Sequence, residues 1–282
     1  MRIPEFYSKI YKEYRKNLLN AIKSKCNVCS GKGYELLEDN MFKDCVCIKQ
    51  YNILKKYADC GINVKHIKRD DDWFKKEFTD KTFEKLMQMK DNLDDILKIN
   101  FVIYPTKTDK WGASHIGNQI IKYCVDDDKT CAVVSSKSVM DMLFSWDNID
   151  FKECLEYLSW VDVLLIDELG VEYNSKMKEN NSFITNAFSG FIMNRKHTNK
   201  TTIITSNMTL PTLKNIYSAD LYNIISDNFV GVSVDSKTKK KSEFEGLENK
   251  LKNTKIISCF DEIDVETPKD KKTMKITRRR RT

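Results

Sequence analysis

Four cysteines near the start of the chain have the spacing of a metal site. Cys26 and Cys29 form a C-x-x-C pair, and Cys45 and Cys47 form a C-x-C pair after fifteen intervening residues. Tetrahedral zinc takes four such ligands, each sulfur at about 2.3 Å from the ion. Gly33 supplies the backbone freedom that a tight reversal after the first pair requires. The pattern predicts a closed, structural Zn²⁺ site that stabilises a segment too short to fold alone.

Two alternatives stay open for this segment. The four cysteines could be free thiols that lie close by chance, or Cys60 or His66 could replace one ligand, although each is more simply interpreted as structural. The chain has nine cysteines, an odd number that favours thiols or metal ligands over disulfides. The later ones are expected to be small buried hydrophobic residues: Cys124, Cys131, Cys154 and Cys259.

Polar residues follow two apolar runs later in the chain. The run 163–166 is followed by Asp167 and Glu168, and the run 202–206 is followed by Asn207. The carboxyl ends of parallel strands face the ligand crevice of a sheet. An Asp there can hold Mg²⁺, a Glu can polarise an attacking water, and an Asn can contact a γ-phosphate. These three residues are the predicted catalytic positions, and solvated acids at a strand end are the alternative.

Residues 100–235 alternate short apolar runs with helical patterns. Strands are predicted at 100–104, 131–135, 161–166, 202–206 and 229–234, and helices at 114–125, 137–145, 179–196 and 213–226. Buried strands that alternate with helices form βαβ units and a parallel sheet covered on both faces. The predicted fold class is therefore α/β, a parallel sheet flanked by helices and preceded by a small helical or ribbon module that binds zinc.

The flanking segments complete the predicted domain organisation. Residues 1–69 hold an amphipathic helix over 5–23 and the zinc-binding module, and 70–98 form a helical connector. The sheet core spans 99–235, and a short helix and a basic tail occupy 236–282. The helix over 5–23 either packs on its own domain or docks on a partner, and both interpretations stay open.

The net charge of +7 is concentrated at the two ends of the chain. Residues 270–282 carry seven basic side chains against one acid, and residues 1–25 carry seven against two, so the body between them is mildly acidic. A cationic tail with few apolar residues suits nucleic-acid phosphates, an acidic protein partner or a solubilising role. The candidates for binding nucleic acid are Lys271, Lys272, Lys275, Arg278, Arg279, Arg280 and Arg281.

The order of these elements resembles the AAA+ ATPases of the helicase-loader type, the DnaC/DnaI/IstB group. In that group Asp167 and Glu168 would stand at the Walker B positions and Asn207 at sensor 1. The cysteine segment 26–62 also resembles the zinc-binding segment that precedes the ATPase core in phage and firmicute loaders. The resemblance covers roughly residues 26–235. The resemblance implies a cytoplasmic DNA-replication accessory protein of a bacterial host or its phage. Such a protein would engage a hexameric replicative helicase and single-stranded DNA, and a homo- or hetero-oligomer is compatible with this role.

The phosphate-binding loop departs from the pattern of that family, G-x-x-x-x-G-K-[ST]. Placing the sequence GASH over the family's GKTH puts Ala113 at the lysine position and Lys107 at the first glycine. Ser114 alone would keep its role, as a Mg²⁺ ligand, while Trp111 and Asp109 crowd and repel an anion. The nucleotide-binding candidates are therefore Lys107, Lys110, Gly112 and Ser114.

The positions of the arginines also differ from those of the loader family. No arginine lies between Arg195 and Arg278, and the stretch 221–235, where loaders carry an arginine finger, offers Asn223 and Ser226 instead. We therefore expect weak or absent ATP hydrolysis, with binding of ATP or ADP and Mg²⁺ left open. An active ATPase with an unusual loop and a nucleic-acid-binding regulator that reuses the fold are the alternatives.

Composition sets outer limits on the class of protein. Hydrophobic residues make up 41% of the chain and aromatic residues 11%, which excludes wholesale disorder. No apolar run approaches the roughly 20 residues that span a bilayer. The first residues lack the hydrophobic stretch of a signal peptide, so we expect an intracellular protein without a membrane partner.

Overall fold

The computed structural model describes residues 16, 19–20, 22–24, 26–36, 41–67, 69–108, 110–145, 148–170, 181–217 and 219–238. Most of the predicted helix over 5–23 lies outside these ranges, although residues 22–24 are helical. The seven tail residues that are candidates for binding nucleic acid lie outside them as well.

The N-terminal module consists of a β-hairpin followed by helices. Strand β1 (Tyr34–Leu36) pairs antiparallel with β2 (Phe42–Asp44). Helix α1 (Val46–Asp59) and the single turn α2 (Val64–Ile67) follow. Cys45 is the N-cap of α1 and Cys47 lies in its first turn. The hairpin and the start of α1 thus place the second cysteine pair of the sequence beside the first.

The connector is helical, as its sequence pattern predicts. Helices α3 (Asp71–Glu77), α4 (Asp80–Asp91) and α5 (Leu93–Ile96) follow one another between the module and the sheet. The side chain of Asp70 accepts a hydrogen bond of 2.9 Å from the Trp73 N–H and so caps the start of α3.

The core is a five-stranded, wholly parallel sheet, which confirms the predicted fold class. The strand order is β4-β5-β6-β3-β7. Every predicted strand is present, but the third extends three residues further than predicted, through both acids. The strands are β3 (Asn100–Pro105), β4 (Cys131–Ser135), β5 (Val163–Leu169), β6 (Thr201–Ser206) and β7 (Phe229–Val234).

Helices cover both faces of this sheet. The predicted helix over 213–226 is two helices, because Tyr217 is extended (φ −92°, ψ 162°). The pattern of residues 149–160 did not predict a helix there. None of the described helices is long and apolar enough to cross a membrane. The helices are α6 (Ala113–Asp126), α7 (Ser136–Phe144), α8 (Ile149–Trp160), α9 (Asn181–His197), α10 (Leu210–Ile216) and α11 (Ala219–Asn228).

Alternation along the strands divides the core into two apolar clusters. Side chains such as Phe101 and Leu165 pack with α6 and the connector on one face, whereas Val102 and Leu164 pack with α7, α8 and α9 on the other. Burial of both faces is what a parallel sheet requires, since its strands have no solvated side.

A buried arginine ties the amino end of the sheet together. Arg195 is fully buried, and its guanidinium donates to the Thr202 hydroxyl (3.1 Å) and to the carbonyls of Val161 (3.0 Å), Thr201 (2.7 Å) and Leu158. Burial lowers the pKa of Arg195 to about 9, so the group stays charged at neutral pH. These bonds make Arg195 a structural residue.

Segment 60–79 contacts both edges of the sheet. At one edge the Val133 N–H on β4 donates to the Cys60 carbonyl (2.7 Å). At the other edge the Thr79 N–H donates to the Asp235 carbonyl just after β7 (3.0 Å), and Phe78 forms a β-bridge with Ser236.

Candidate functional site

A β-bulge presents the two acids at the carboxyl end of β5. Ile166 pairs with Ile204 and Leu169 with Ser206, so three steps on β5 oppose two on β6. The extra residue brings Glu168 into the left-handed region at a φ of 64°, a conformation that non-glycine residues seldom adopt. Strained backbone of this kind is typical of functional positions.

A single hydroxyl on the next strand fixes this bulge. Thr205 Oγ1 accepts a hydrogen bond from the Glu168 N–H (3.1 Å) and donates to a carboxylate oxygen of Asp167. Asn207 directly follows the last residue of β6 and is half-buried. Because β5 and β6 are parallel, it lies at the same end of the sheet as the two acids. The three predicted catalytic residues thus lie together at the carboxyl ends of neighbouring strands. Their catalytic roles stay a prediction.

A cavity of about 260 Å³ opens beside the acids. It lies between segment 61–66 and the ends of β4 and β5, and Asp167 and Glu168 line it together with Lys65, His66 and Asn118.

The phosphate loop has the backbone of a turn, and the connector approaches it closely at Gly112. Gly112 is the N-cap of α6, with a φ of 111° that favours glycine. A Cβ atom added there would stand only 2.3 Å from the Phe78 ring. The connector therefore packs directly onto the loop, and glycine is needed for this close approach as well as for the turn.

The candidate loop lysines face different surroundings. Lys110 Nζ forms an ion pair with Asp235 (3.2 Å) and donates to the Ser236 carbonyl (2.7 Å). Lys107 is exposed. Ser114 lies in the first turn of α6, is buried, and accepts a 2.8 Å hydrogen bond on its carbonyl from the Asn118 amide. Lys110 is thus already neutralised by the segment after β7.

Aromatic side chains from the connector and the loop fill the adjoining space. The Trp73 ring stacks on His115 at 5.2 Å, and Trp111 lies 5.5 Å from Phe78 and 5.2 Å from His115. His66 meets His115 edge-to-face at 4.5 Å. We call Trp73, Phe78, Trp111, His115 and His66 the aromatic cluster.

Burial keeps both histidines of the aromatic cluster uncharged. It lowers the pKa of His66 to about 3 and that of His115 to about 4, with neighbouring positive charges adding to the effect. Both imidazoles are therefore neutral near pH 7. The cluster could not be predicted from the sequence, where only Trp111 in place of a small loop residue pointed to crowding.

The four cysteines predicted to bind metal do converge. All four sulfurs lie within 4.8 Å of one another, with Cys26 and Cys45 at 3.5 Å and Cys29 and Cys47 at 3.6 Å. Tetrahedral coordination with bonds of about 2.3 Å separates sulfurs by about 3.8 Å, so one ion fits. The Gly33 N–H donates to the Cys29 sulfur (3.1 Å). Neither Cys60 nor His66 belongs to this group.

Two of these thiols differ in acidity. Burial raises the pKa of the Cys29 thiol, but the Gly33 N–H and the neighbouring sulfurs outweigh burial and bring it to about 6. Burial and the same sulfurs raise the pKa of Cys47 to about 12. Their surroundings thus favour the thiolate of Cys29 and disfavour that of Cys47.

Large apolar side chains remain exposed on the hairpin of this module. Tyr34, Leu36 and Phe42 lie on one face of the two strands, because they alternate with Glu35 and Lys43. Leu36 is 62% exposed and Phe42 is 68% exposed. We call these three side chains the hairpin face.

Only two arginines, Arg69 and Arg195, fall within the described ranges. Arg69 lies over the Trp73 ring, with its guanidinium carbon 4.4 Å from the ring centre. Arg195 lies at the amino ends of the strands, whereas the acids lie at the carboxyl ends.

The strand order and the position of the loop define an α/β protein with the arrangement of the AAA+ ATPases, in which β6 lies between the loop strand and the strand of the acids. No protein-family model and no curated protein matches the sequence.

Three solved structures are among those that the chain resembles. The replication initiator DnaA bound to AMPPCP and single-stranded DNA is 17% identical at a TM-score of 0.45, over 62% of this chain and 51% of that one. DnaI is 16% identical at 0.45, over 65% and 93%. The DnaC helicase loader is 16% identical at 0.44, over 55% and 89%. This chain spans about half the length of DnaA, and such values establish neither its family nor its activity.

Proposed function

We propose that this protein is a helicase-loader-like adaptor of DNA replication that binds a hexameric replicative helicase and single-stranded DNA and hydrolyses ATP weakly or not at all. The zinc-binding module would carry the helicase contact, and the AAA+-like core would serve as a scaffold. The observation that carries the proposal is the filled phosphate loop.

Three features of that loop oppose nucleotide hydrolysis. The family's lysine position is Ala113, and Lys110 is already paired with Asp235. The Phe78 ring lies against Gly112, where a phosphate would need free backbone N–H groups. A nucleotide would therefore have to displace the connector and break an ion pair before it could bind as in an active site.

The hairpin face supports the helicase contact. It is apolar and exposed, and it is presented by a module whose own buried cluster is small. Partner interfaces concentrate binding energy in a few buried aromatic and aliphatic side chains. We expect Leu36 and Phe42 to contribute in this way.

Co-precipitation with the replicative helicase of a candidate host tests the proposal. Phe42→Ser should reduce helicase capture at least tenfold, because it removes an apolar anchor. Ile149→Ser is the matched control, since Ile149 is an equally exposed apolar residue (74%) on the core and should leave capture unchanged. Absence of capture by the parent chain at both low and moderate salt would refute the helicase contact.

An active ATPase is the second candidate, favoured by the constrained bulge at Asp167 and Glu168. Steady-state phosphate release should then fall at least 100-fold in Glu168→Gln, since the acid would polarise the attacking water. Equal rates in the parent and the variant would eliminate this candidate and leave the adaptor role.

A nucleic-acid-binding regulator is the remaining alternative, suggested by the composition of the tail alone. Deletion of residues 271–281 should weaken DNA binding and reduce its salt dependence if the tail contacts phosphates. DNA affinity that is unchanged by the deletion would assign contact with DNA to the core.

A further inference from the structure

The cavity beside Asp167 and Glu168 is separate from the phosphate loop. Its apolar lining comes from Val133 on β4, Met142 on α7 and Cys154 on α8, and segment 61–66 closes it from the module side. Cavities of a few hundred cubic ångströms with apolar walls and a few polar groups are the usual form of a small-molecule site.

Two buried side chains that line this cavity have unused hydrogen-bonding atoms. Asn118 is 1% exposed, and its amide nitrogen donates to the Ser114 carbonyl, whereas its Oδ1 has no partner among the described residues. His66 is 3% exposed, and its Nδ1 likewise has no partner there. Buried polar atoms are nearly always satisfied, so unpaired ones point to a missing ligand or water.

Charges around the cavity are also left without partners. Asp167, Glu168 and Lys65 all line it, and none of them forms an ion pair with another described residue. The Asp167 carboxylate does accept the Thr205 hydroxyl. The lining therefore offers several acceptors at the strand ends, one cation on the module side, and an apolar floor.

We propose that this cavity binds a base of the 6-aminopurine or 4-aminopyrimidine type, adenine or cytosine, and holds the attached phosphate on the side of Lys65. The amino group would donate to the Glu168 carboxylate and to Asn118 Oδ1, and the ring would lie against Val133, which is on the same face of the sheet as Asn118. A volume of about 260 Å³ accommodates one base and not a nucleoside triphosphate extended along the phosphate loop.

The base has two sources, a free mononucleotide or a nucleotide of single-stranded DNA. The inference rests on the proposed function only in the second case, and it does not need a helicase. Calorimetric titration of the full chain with dAMP and with an oligodeoxyadenylate distinguishes the sources. A titration with dTMP serves as the ligand control, because thymine has no exocyclic amino group.

We expect dAMP or the oligonucleotide to bind at least tenfold more tightly than the corresponding thymine ligand. Glu168→Gln and Lys65→Gln should each weaken binding about tenfold, as expected for loss of one charged hydrogen bond. Glu156→Gln and Lys49→Gln are matched controls, because both side chains are exposed outside the cavity. Ser138 lines the cavity from an exposed position in the first turn of α7, so Ser138→Phe places a large ring there and should abolish binding, while circular dichroism checks that the variant is folded.

Binding by dAMP alone assigns the cavity to a free nucleotide, and binding by the oligonucleotide alone assigns it to DNA. The inference is overturned if neither adenine ligand binds or if dTMP binds equally well. It is also overturned if Ser114→Ala abolishes binding while Ser138→Phe does not, since the phosphate loop would then hold the ligand. Heat on titration with Mg²⁺ alone, without response to dAMP, would likewise refute it.

Discussion

The cysteine module and the sheet core are stabilised by different means. In the module, the buried cluster consists of Ile22 and three of the cysteines, while Leu36 and Phe42 are left in solvent. In the core, two large apolar clusters cover the two faces of the sheet, and even Arg195 has its hydrogen bonds satisfied. This difference predicts that the module depends on a metal ion for its fold, whereas the core depends on burial.

Removal of zinc should have the largest effect, and only in the module. Cys29→Ser, or a strong chelator, should abolish stoichiometric zinc binding and unfold residues 26–60, since structural zinc contributes on the order of 10 kcal/mol to folding in small sites. Metal analysis and hydrogen exchange measure this loss. Cys60→Ser is the matched control and should retain one zinc per chain. If the module's amides stay protected from hydrogen exchange without metal, the module does not depend on zinc and the proposed difference from the core is wrong.

Loss of the buried guanidinium should be the largest single-residue effect in the core. Arg195→Met leaves the carbonyls of Leu158, Val161 and Thr201 without donors, which should cost about 3–5 kcal/mol of unfolding free energy. Urea unfolding of the parent and the variant measures this loss of unfolding free energy. Lys196→Met alters the neighbouring exposed position and should cost less than about 0.5 kcal/mol. Similar losses in the two variants would refute the role of Arg195.

Acid should destabilise the core through the aromatic cluster. The unfolded chain protonates histidine near pH 6.5. Folded His66 and His115 bind protons only at about pH 3 and pH 4. The unfolded state therefore binds more protons between these values, and stability falls as the pH drops through this window. We expect a loss of about 2 kcal/mol for each histidine, or about 4 kcal/mol in all, from pH 7.5 to 5.

Tryptophan fluorescence measures this transition, because Trp73 and Trp111 contact His115. The double variant His66→Gln and His115→Gln should flatten the pH profile, whereas His197→Gln, at an exposed position, should not change it. An unaltered profile in the double variant would assign acid sensitivity to other groups.

The close approach at the phosphate loop should produce the smallest of these effects. Gly112→Ala must adopt a φ of 111° and displace the Phe78 ring, which should cost about 1–3 kcal/mol. Gly190→Ala is the matched control, because nothing lies within 4 Å of its added Cβ and alanine favours a helix. Thermal unfolding compares the two. Stabilisation by Gly112→Ala would show that the loop is not packed as described.

The sequence predicts some features of this molecule much better than others. Strand positions follow from runs of buried β-branched residues, and the four metal ligands follow from spacing, because both signals are local. Helix α8 carries only a weak apolar stripe around Tyr157 and so was missed. Contacts of Phe78 with Gly112 and of Lys110 with Asp235 join residues far apart in the chain, and no local pattern encodes them. The acids were predicted at the correct strand end, but the bulge that orients Glu168 depends on the Thr205 hydroxyl of another strand.

The contacts of segment 60–79 with both edges of the sheet bear on self-association. An uncovered edge strand offers unpaired N–H and carbonyl groups to any other chain, and it is a common starting point for aggregation. On β4, the Val133 N–H is paired because it donates a hydrogen bond to the Cys60 carbonyl. The β-bridge from Phe78 to Ser236 lies just past the end of β7. A fragment that begins at the first core strand would lose the Cys60 contact and would leave the Val133 N–H on β4 open to pairing with another chain.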